Sequence, residues 1–190
     1  MPLTKKQFRQ KCLKKLQECS KKSRIYEKYS VNKALLREIK RVKAKNILFY
    51  YPLESEVDIR KTLYYLRRKK SIFIPFMVDK SFKMVPFRLP LKKKRFGIFE
   101  AGNTLRTIKN IDIAVVPVVG VDINLQRVGF GKGMYDRFFD KLQKKPFTIF
   151  IQAKLCYTDE KVCDTYDISG DLLITPSKII QRHKGHIKRK

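Results

Sequence analysis

The 190-residue sequence is poor in negative charge: 17 acidic residues stand against 45 lysines and arginines, a formal net charge of +28. It has no apolar run near the roughly 18–20 residues that a membrane-spanning helix needs, so no such span is expected. The opening segment Met1-Pro2-Leu3-Thr4-Lys5-Lys6 runs into further charge instead of an apolar signal core, which argues against export and for the cytoplasm. Closely spaced cysteines are missing as well. Cys12 and Cys19, and Cys156 and Cys163, are wide pairs without zinc-knuckle spacing. The two histidines, His183 and His186, sit in a basic stretch far from both. Four reduced thiols are the expectation for a cytosolic chain, and no Ser-His or Cys-His nucleophilic constellation is evident.

Hydrophobic residues make up 43% and aromatics 12%, which argues against disorder despite the charge. The length suits one compact domain, here placed over residues 1–177, with a helical segment over about 4–43. Residues 178–190 are basic without an acid and are expected to be a flexible tail. The charge points first to nucleic acid. Against that, lysine far outnumbers arginine and is spread through every segment. Long-range steering of anionic small molecules is its expected effect, with no obligate nucleic acid and no membrane partner.

Periodicity supplies the elements. Phe8, Cys12, Leu13, Leu16 and Cys19 form a helical stripe, and Ser30 is placed as the cap of a second helix carrying Val31, Leu35, Ile39 and Val42. Apolar runs at 46–51, 72–74, 111–117, 147–151 and 171–175 suit buried strands, the second ended by Pro75. Residues 84–87, with Pro86, suit an edge strand. Helices are expected from Asp58 through Leu66 and from about Gly133 to Leu142. Strands alternating with helices predict an α/β fold: a mostly parallel sheet with helices on both faces, three layers, and a helical segment in front. Ligands then bind beyond the carboxyl ends of the strands.

Chemistry concentrates in Arg127-Val128-Gly129-Phe130-Gly131-Lys132-Gly133-Met134-Tyr135-Asp136-Arg137. Three alternate glycines let the backbone approach a ligand closely, Arg127 and Lys132 add positive charge, and Asp136 offers oxygen to Mg²⁺. The spacing is neither the dinucleotide fingerprint, since Met134 replaces its last glycine, nor a P-loop, since Gly133 follows Lys132. A phosphate-binding loop is the expectation, against the plainer alternative of a glycine-rich turn.

This segment resembles the signature of the 5-formyltetrahydrofolate cyclo-ligase family. Tyr50 through Asp58, Ile72 through Pro75, Met84, Arg95 through Glu100, Val116 through Asp122 and Tyr166-Asp167-Ile168 are similar to further segments of that family, in its order. The resemblance implies that Lys5, Arg9, Arg127, Gly129, Phe130, Gly131, Lys132, Gly133 and Met134 hold ATP. It also implies that Asp136 and Asp167 bind Mg²⁺, and that Tyr51, Glu56 and Tyr135 contact folate. Lys5, Arg127, Lys132 and Tyr135 are the implied catalytic set. The implied reaction is ATP-dependent closure of 5-formyltetrahydrofolate to 5,10-methenyltetrahydrofolate by a monomer, through a phosphorylated formyl group. Phe76, Met134 and Tyr166 depart from the family pattern. The competing expectations are a basic nucleic-acid-binding protein and a folate- or nucleotide-binding relative with another substrate.

Overall fold

A computed structural model describes residues 2–18, 21–94, 97–105, 108, 110–182 and 187–189. Cys19, His183, His186, Arg95 and Phe96 lie outside the described residues. Helix α1 spans Lys5–Gln17 and starts in a capping box: the Thr4 side chain accepts from Gln7 N–H, while the Gln7 side chain accepts from Thr4 N–H. Helix α2 runs over Lys21–Val42 as one element, passing through Ser30 rather than starting there. Its buried positions Val31, Leu35 and Ile39 keep helical period. Helices α3 (Arg60–Leu66) and α4 (Met134–Asp140) are short, with two turns or less of usable dipole.

Eight strands form the main sheet. In chain order they are β1 (Asn46–Leu48), β2 (Ser71–Val78), β3 (Ser81–Pro86), β6 (Ile113–Pro117), β9 (Phe147–Ile151), β10 (Leu172–Ile174), β11 (Ile179–Arg182) and β12 (Ile187–Arg189). Their spatial order is β12-β11-β10-β9-β6-β1-β2-β3. The five strands from β10 to β2 are mutually parallel, and antiparallel strands close both edges. Two small ribbons stand apart: β4 (Lys92–Lys93) with β5 (Phe99–Glu100), and β7 (Gly120–Val121) with β8 (Arg127–Val128).

Alternation along the strands splits the core. Ile47, Ile113, Val115, Ile149 and Ile151 face the side covered by α2 and α3. Leu48, Ala114, Val116 and Phe150 face the side covered by Phe138 and Phe139 of α4. The three-layer expectation therefore holds. Each fully buried large apolar side chain contributes about 1.5–3 kcal/mol, so these two sets carry most of the stabilisation.

Three expectations are corrected. Strand β2 does not end at Pro75 but continues to Val78. Its pairing with β1 stops at Phe73, so beyond that point Pro75 has only β3 beside it, paired with Met84, and no second ladder needs its missing N–H. Residues 178–190 are not simply a frayed tail, because β11 and β12 add antiparallel strands at the sheet edge. Cys12 and Cys156 are bonded to each other, with Cα atoms 5.6 Å apart across 144 residues of sequence, while Cys163 remains a buried free thiol. Spacing in sequence could not reveal this pair. It exists because α1 packs on the β7–β8 ribbon, which gathers Phe8, Cys12, Val119, Val128, Cys156 and Cys163 into one cluster.

Candidate active site

The segment after β8 wraps a cavity of about 440 Å³ lined by Lys5 and Arg9 of α1, Arg127, Gly129, Gly131, Gly133, Asp136 and Asp167, together with Arg137, Asp140 and Tyr166. Most of the expected phosphate and metal residues thus converge from three separate parts of the chain. Gly131 and Gly133 adopt φ of +97° and +60°, the left-handed region that glycine tolerates best. Gly129 is needed for another reason. A Cβ there would lie 2.4 Å from Arg127 Nη1, so only glycine lets that guanidinium lie flat on the loop. Arg9 Nε donates to Gly129 O (2.9 Å), which ties α1 to the loop. Arg137 donates to Lys132 O (2.5 Å) and to Lys80 O, joining the loop to the β2–β3 turn.

Arg127 is 7% exposed, donates from Nε to Pro117 O (3.1 Å), and holds Nη1 3.6 Å from Asp136 Oδ2. Burial lowers its pKa from the usual arginine value, and the opposing charges, Asp136 first, limit the fall. Lys5 donates to Asp167 Oδ2 and to Asp164 Oδ2 (3.2 Å). Burial alone would lower its pKa, but the bonds to these carboxylates outweigh that and hold it above the usual lysine value. Asp167 also accepts from Asp164 N–H (2.7 Å), and Gln126 Nε2 donates to Asp164 O (2.8 Å). In this way the last site loop is fixed by its own backbone and by Gln126. Tyr166 donates its hydroxyl to Asp164 Oδ2 (2.8 Å), with Lys5 Nζ 5.4 Å from its ring centroid. Among the described residues, no group of three or more His, Cys, Asp or Glu is arranged to hold a metal by itself.

A second, larger cleft of about 920 Å³ is lined by Tyr51 through Asp58, Phe99, Lys93 and Arg60, among others. The Tyr51 ring lies 5.4 Å from Phe99 and 6.4 Å from Phe87. Glu56 Oε2 accepts from Leu53 N–H (2.9 Å) in a tight turn. Burial pushes the Glu56 carboxyl up to about 7, opposed by that bond and by the Arg127 charge. Arg127 therefore acts electrostatically on both clefts, since it lines one and its charge reaches the acid of the other. Tyr135 lies between Phe82, at 4.9 Å edge to face, and the Arg127 guanidinium, 5.0 Å from its ring centroid. Burial raises its hydroxyl pKa, and the neighbouring Glu56 adds to the effect.

Some expected residues are not brought in. Lys132 and Phe130 are exposed on the loop and do not line the cavity, and Met134, the first residue of α4, packs half-buried against the core. Phe76 lies across from Lys83, whose ammonium is 5.8 Å from its ring centroid. Sequence reasoning missed Asp164, Asp140 and the role of Arg137. Arg137 closes the signature and could have been suspected, whereas Asp164 carried no local signal.

The chain matches the model of the 5-formyltetrahydrofolate cyclo-ligase family over residues 3–165, so Asp167 lies just past the matched span. It is 28% identical over 142 residues to the 5-formyltetrahydrofolate cyclo-ligase of Haemophilus influenzae, covering 70% of this chain and 74% of that one. It is 26% identical over 160 residues to a probable 5-formyltetrahydrofolate cyclo-ligase of Schizosaccharomyces pombe, covering 73% and 78%. The fold is that of the 5,10-methenyltetrahydrofolate synthetase of Aquifex aeolicus, with a TM-score of 0.80, 24% identity, and 97% and 99% of the two chains covered. The synthetase of Mycoplasma pneumoniae is similar at a TM-score of 0.70, with 21% identity and 92% and 99% covered. With a family match across most of its length and a glycine loop built as described, this chain belongs to the 5-formyltetrahydrofolate cyclo-ligase family.

Proposed function

We propose that the protein converts 5-formyltetrahydrofolate and ATP to 5,10-methenyltetrahydrofolate, ADP and phosphate. The observation that carries this reading is Arg127, buried in the lining of the cationic cavity while its charge acts on Glu56 of the aromatic, acid-bearing cleft. A triphosphate in the first and a pterin in the second would both lie under the influence of that charge. The chemical obstacle is the formamide oxygen, a poor leaving group. Its attack on the γ-phosphorus breaks the bond to the β–γ bridging oxygen, releases ADP and leaves an iminium phosphate. Nitrogen 10 then bonds to the formyl carbon and loses its proton, and the phosphate departs with the former formyl oxygen. Both reacting centres belong to one molecule, so ring closure costs little orientational entropy.

The protein's work is positioning and charge dispersal. Lys5, Arg9 and Arg127 face the phosphates, and the glycine loop lets them approach closely. Glu56, once ionised, accepts hydrogen bonds from the pterin amino and ring N–H groups, and Tyr51 packs beside them. Tyr135 fixes the guanidinium of Arg127 from behind. Asp136 and Asp167 fit Mg²⁺: both are oxygen donors in the same cavity, and each is balanced by a cation, Arg127 or Lys5, that a phosphate would draw away. Bound there, the ion would neutralise charge on the phosphate oxygens. No monomeric or oligomeric state is needed for this reading, since every named group comes from one chain.

The test is the appearance of methenyltetrahydrofolate absorbance on mixing protein, 5-formyltetrahydrofolate and Mg-ATP. Asp136→Asn is expected to lower turnover by orders of magnitude with the melting temperature little changed. Near-normal turnover in that variant refutes the metal role. No absorbance change with the unmodified protein refutes the activity.

A further inference from the structure

The proposed reaction uses only a few of the 45 basic side chains, and the fold concentrates others on one surface. Along α2 and the turn after it, Lys33, Arg37, Lys40, Arg41, Lys43 and Lys45 are exposed; along α3 and its end, Lys61, Arg67, Arg68 and Lys69 are exposed. Among residues 28–45 and 60–69 no acid is exposed. Glu38, one of the two acids in the α2 sequence, is 8% exposed and paired with Arg37 and Arg41. Because α2 and α3 cover the same side of the sheet, these residues share the outer face of one layer.

Aromatic rings are set among the charges. Tyr29 is 62% exposed and Tyr65 is 44% exposed. Lys61 Nζ of α3 lies 6.0 Å from the Tyr29 ring centroid of α2, so the two helices stand side by side at that end. Lys69 Nζ lies 4.9 Å from the Tyr65 centroid and donates to its hydroxyl (3.2 Å). Lys69 foremost, with Lys40 of α2 behind it, pulls the Tyr65 hydroxyl below its usual pKa, which reports a positive potential where the helices meet again.

We propose that the outer face of α2 and α3 binds single-stranded nucleic acid, independently of the folate reaction. Lysine ammonium groups hold a phosphate backbone as point charges, without the bidentate geometry that reads base edges. The exposed tyrosines supply flat faces on which unpaired bases stack. An anionic membrane is the poorer partner, because among residues 28–69 the large apolar side chains exposed on these two helices are Tyr29, Tyr64 and Tyr65, amphipathic rings instead of aliphatic side chains that enter a bilayer. Binding is therefore expected to tolerate sequence and to fall steeply with salt.

The experiment measures anisotropy of a labelled single-stranded oligoribonucleotide against the full chain across a salt series. Saturating Mg-ATP, a duplex of the same sequence and anionic lipid vesicles serve as competitors. The single strand is expected to bind more tightly than the duplex or the vesicles and to persist with Mg-ATP present. Lys40→Gln with Lys69→Gln should reduce the slope of log affinity against log salt by about 0.7 per lysine. Tyr65→Ala should weaken binding at least about fivefold with the slope unchanged, while Tyr65→Phe keeps it. All three variants should retain the melting temperature and the cyclisation rate. Displacement by Mg-ATP would assign binding to the phosphate cavity and overturn the proposal, as would preference for duplex or vesicles, or indifference to these substitutions. Loss of cyclisation in the unmodified protein would instead concern the enzymatic reading alone.

Discussion

The charge of Arg127 acts on both clefts, which differ in almost everything else. The 440 Å³ cavity is made of opposite charges already paired, Lys5 with Asp167 and Arg127 with Asp136, around a loop that presents only its glycines to the cavity. The 920 Å³ cleft sets the rings of Tyr51 and Phe99, with Phe87 behind Tyr51, beside the acids Glu54, Glu56 and Asp58, of which Asp58 is paired with Arg60. A cavity of paired charges can accept a metal-triphosphate by exchange, since each cation and each carboxylate finds a new opposite charge and none is left bare. An aromatic cleft with a raised carboxyl suits a flat heterocycle that brings its own N–H donors. Discrimination between phosphate and pterin thus rests on what each cleft would leave unpaired with the wrong occupant.

The sharpest way to break the contrast is to remove the group whose charge acts on both clefts. Arg127→Ala should lower kcat/KM by about 10²–10³-fold or more, and raise KM for both substrates, where any other single change affects mainly one. Because it leaves Asp136 without its buried partner, it should also cost about 3–5 kcal/mol in urea unfolding. An effect confined to ATP would show that the clefts are independent.

Glu56→Gln probes the aromatic cleft alone, with an expected rise of tenfold or more in KM for the folate and little change for ATP. The folded carboxyl titrates near 7 against an ordinary value of 4.5. The folded state therefore holds this proton more tightly than the unfolded one. The resulting stabilisation is complete below about pH 4.5 and is lost as pH rises through 7, a difference of about 3 kcal/mol. Thermal melts should show Glu56→Gln gaining on the unmodified protein between pH 5 and pH 8. Folate affinity should move the other way, rising through pH 7 as the carboxylate forms, and the variant should lose that dependence.

Cys12→Ser with Cys156→Ser tests how firmly α1 is held against the charged cavity. Losing a bridge over so long a loop should cost about 2–4 kcal/mol and raise KM for ATP more than for folate, since Lys5 and Arg9 ride on α1. The smallest effect is expected at Tyr166→Phe, which removes one exposed hydroxyl from Asp164 and should change KM for ATP less than about threefold. A tenfold change there would mean that Tyr166 positions Lys5 through Asp164.

Much of this protein was legible from local pattern. Phe8 and Cys12 on one helical stripe, the apolar run 147–151, and the glycine-rich segment flanked by Arg127 and Asp136 each declared their element, because a helix or strand face and a ligand loop are set by neighbours in sequence. What only the tertiary structure decided was company at long range. Pro75 sits within a strand because its missing donor faces an unpaired side, and Lys132 turns out exposed although it lies in the signature. Cys12 meets Cys156, and Lys5 meets Asp164 and Asp167, across more than 140 residues. Burial and pairing are properties of the packed chain, and no window of sequence contains them.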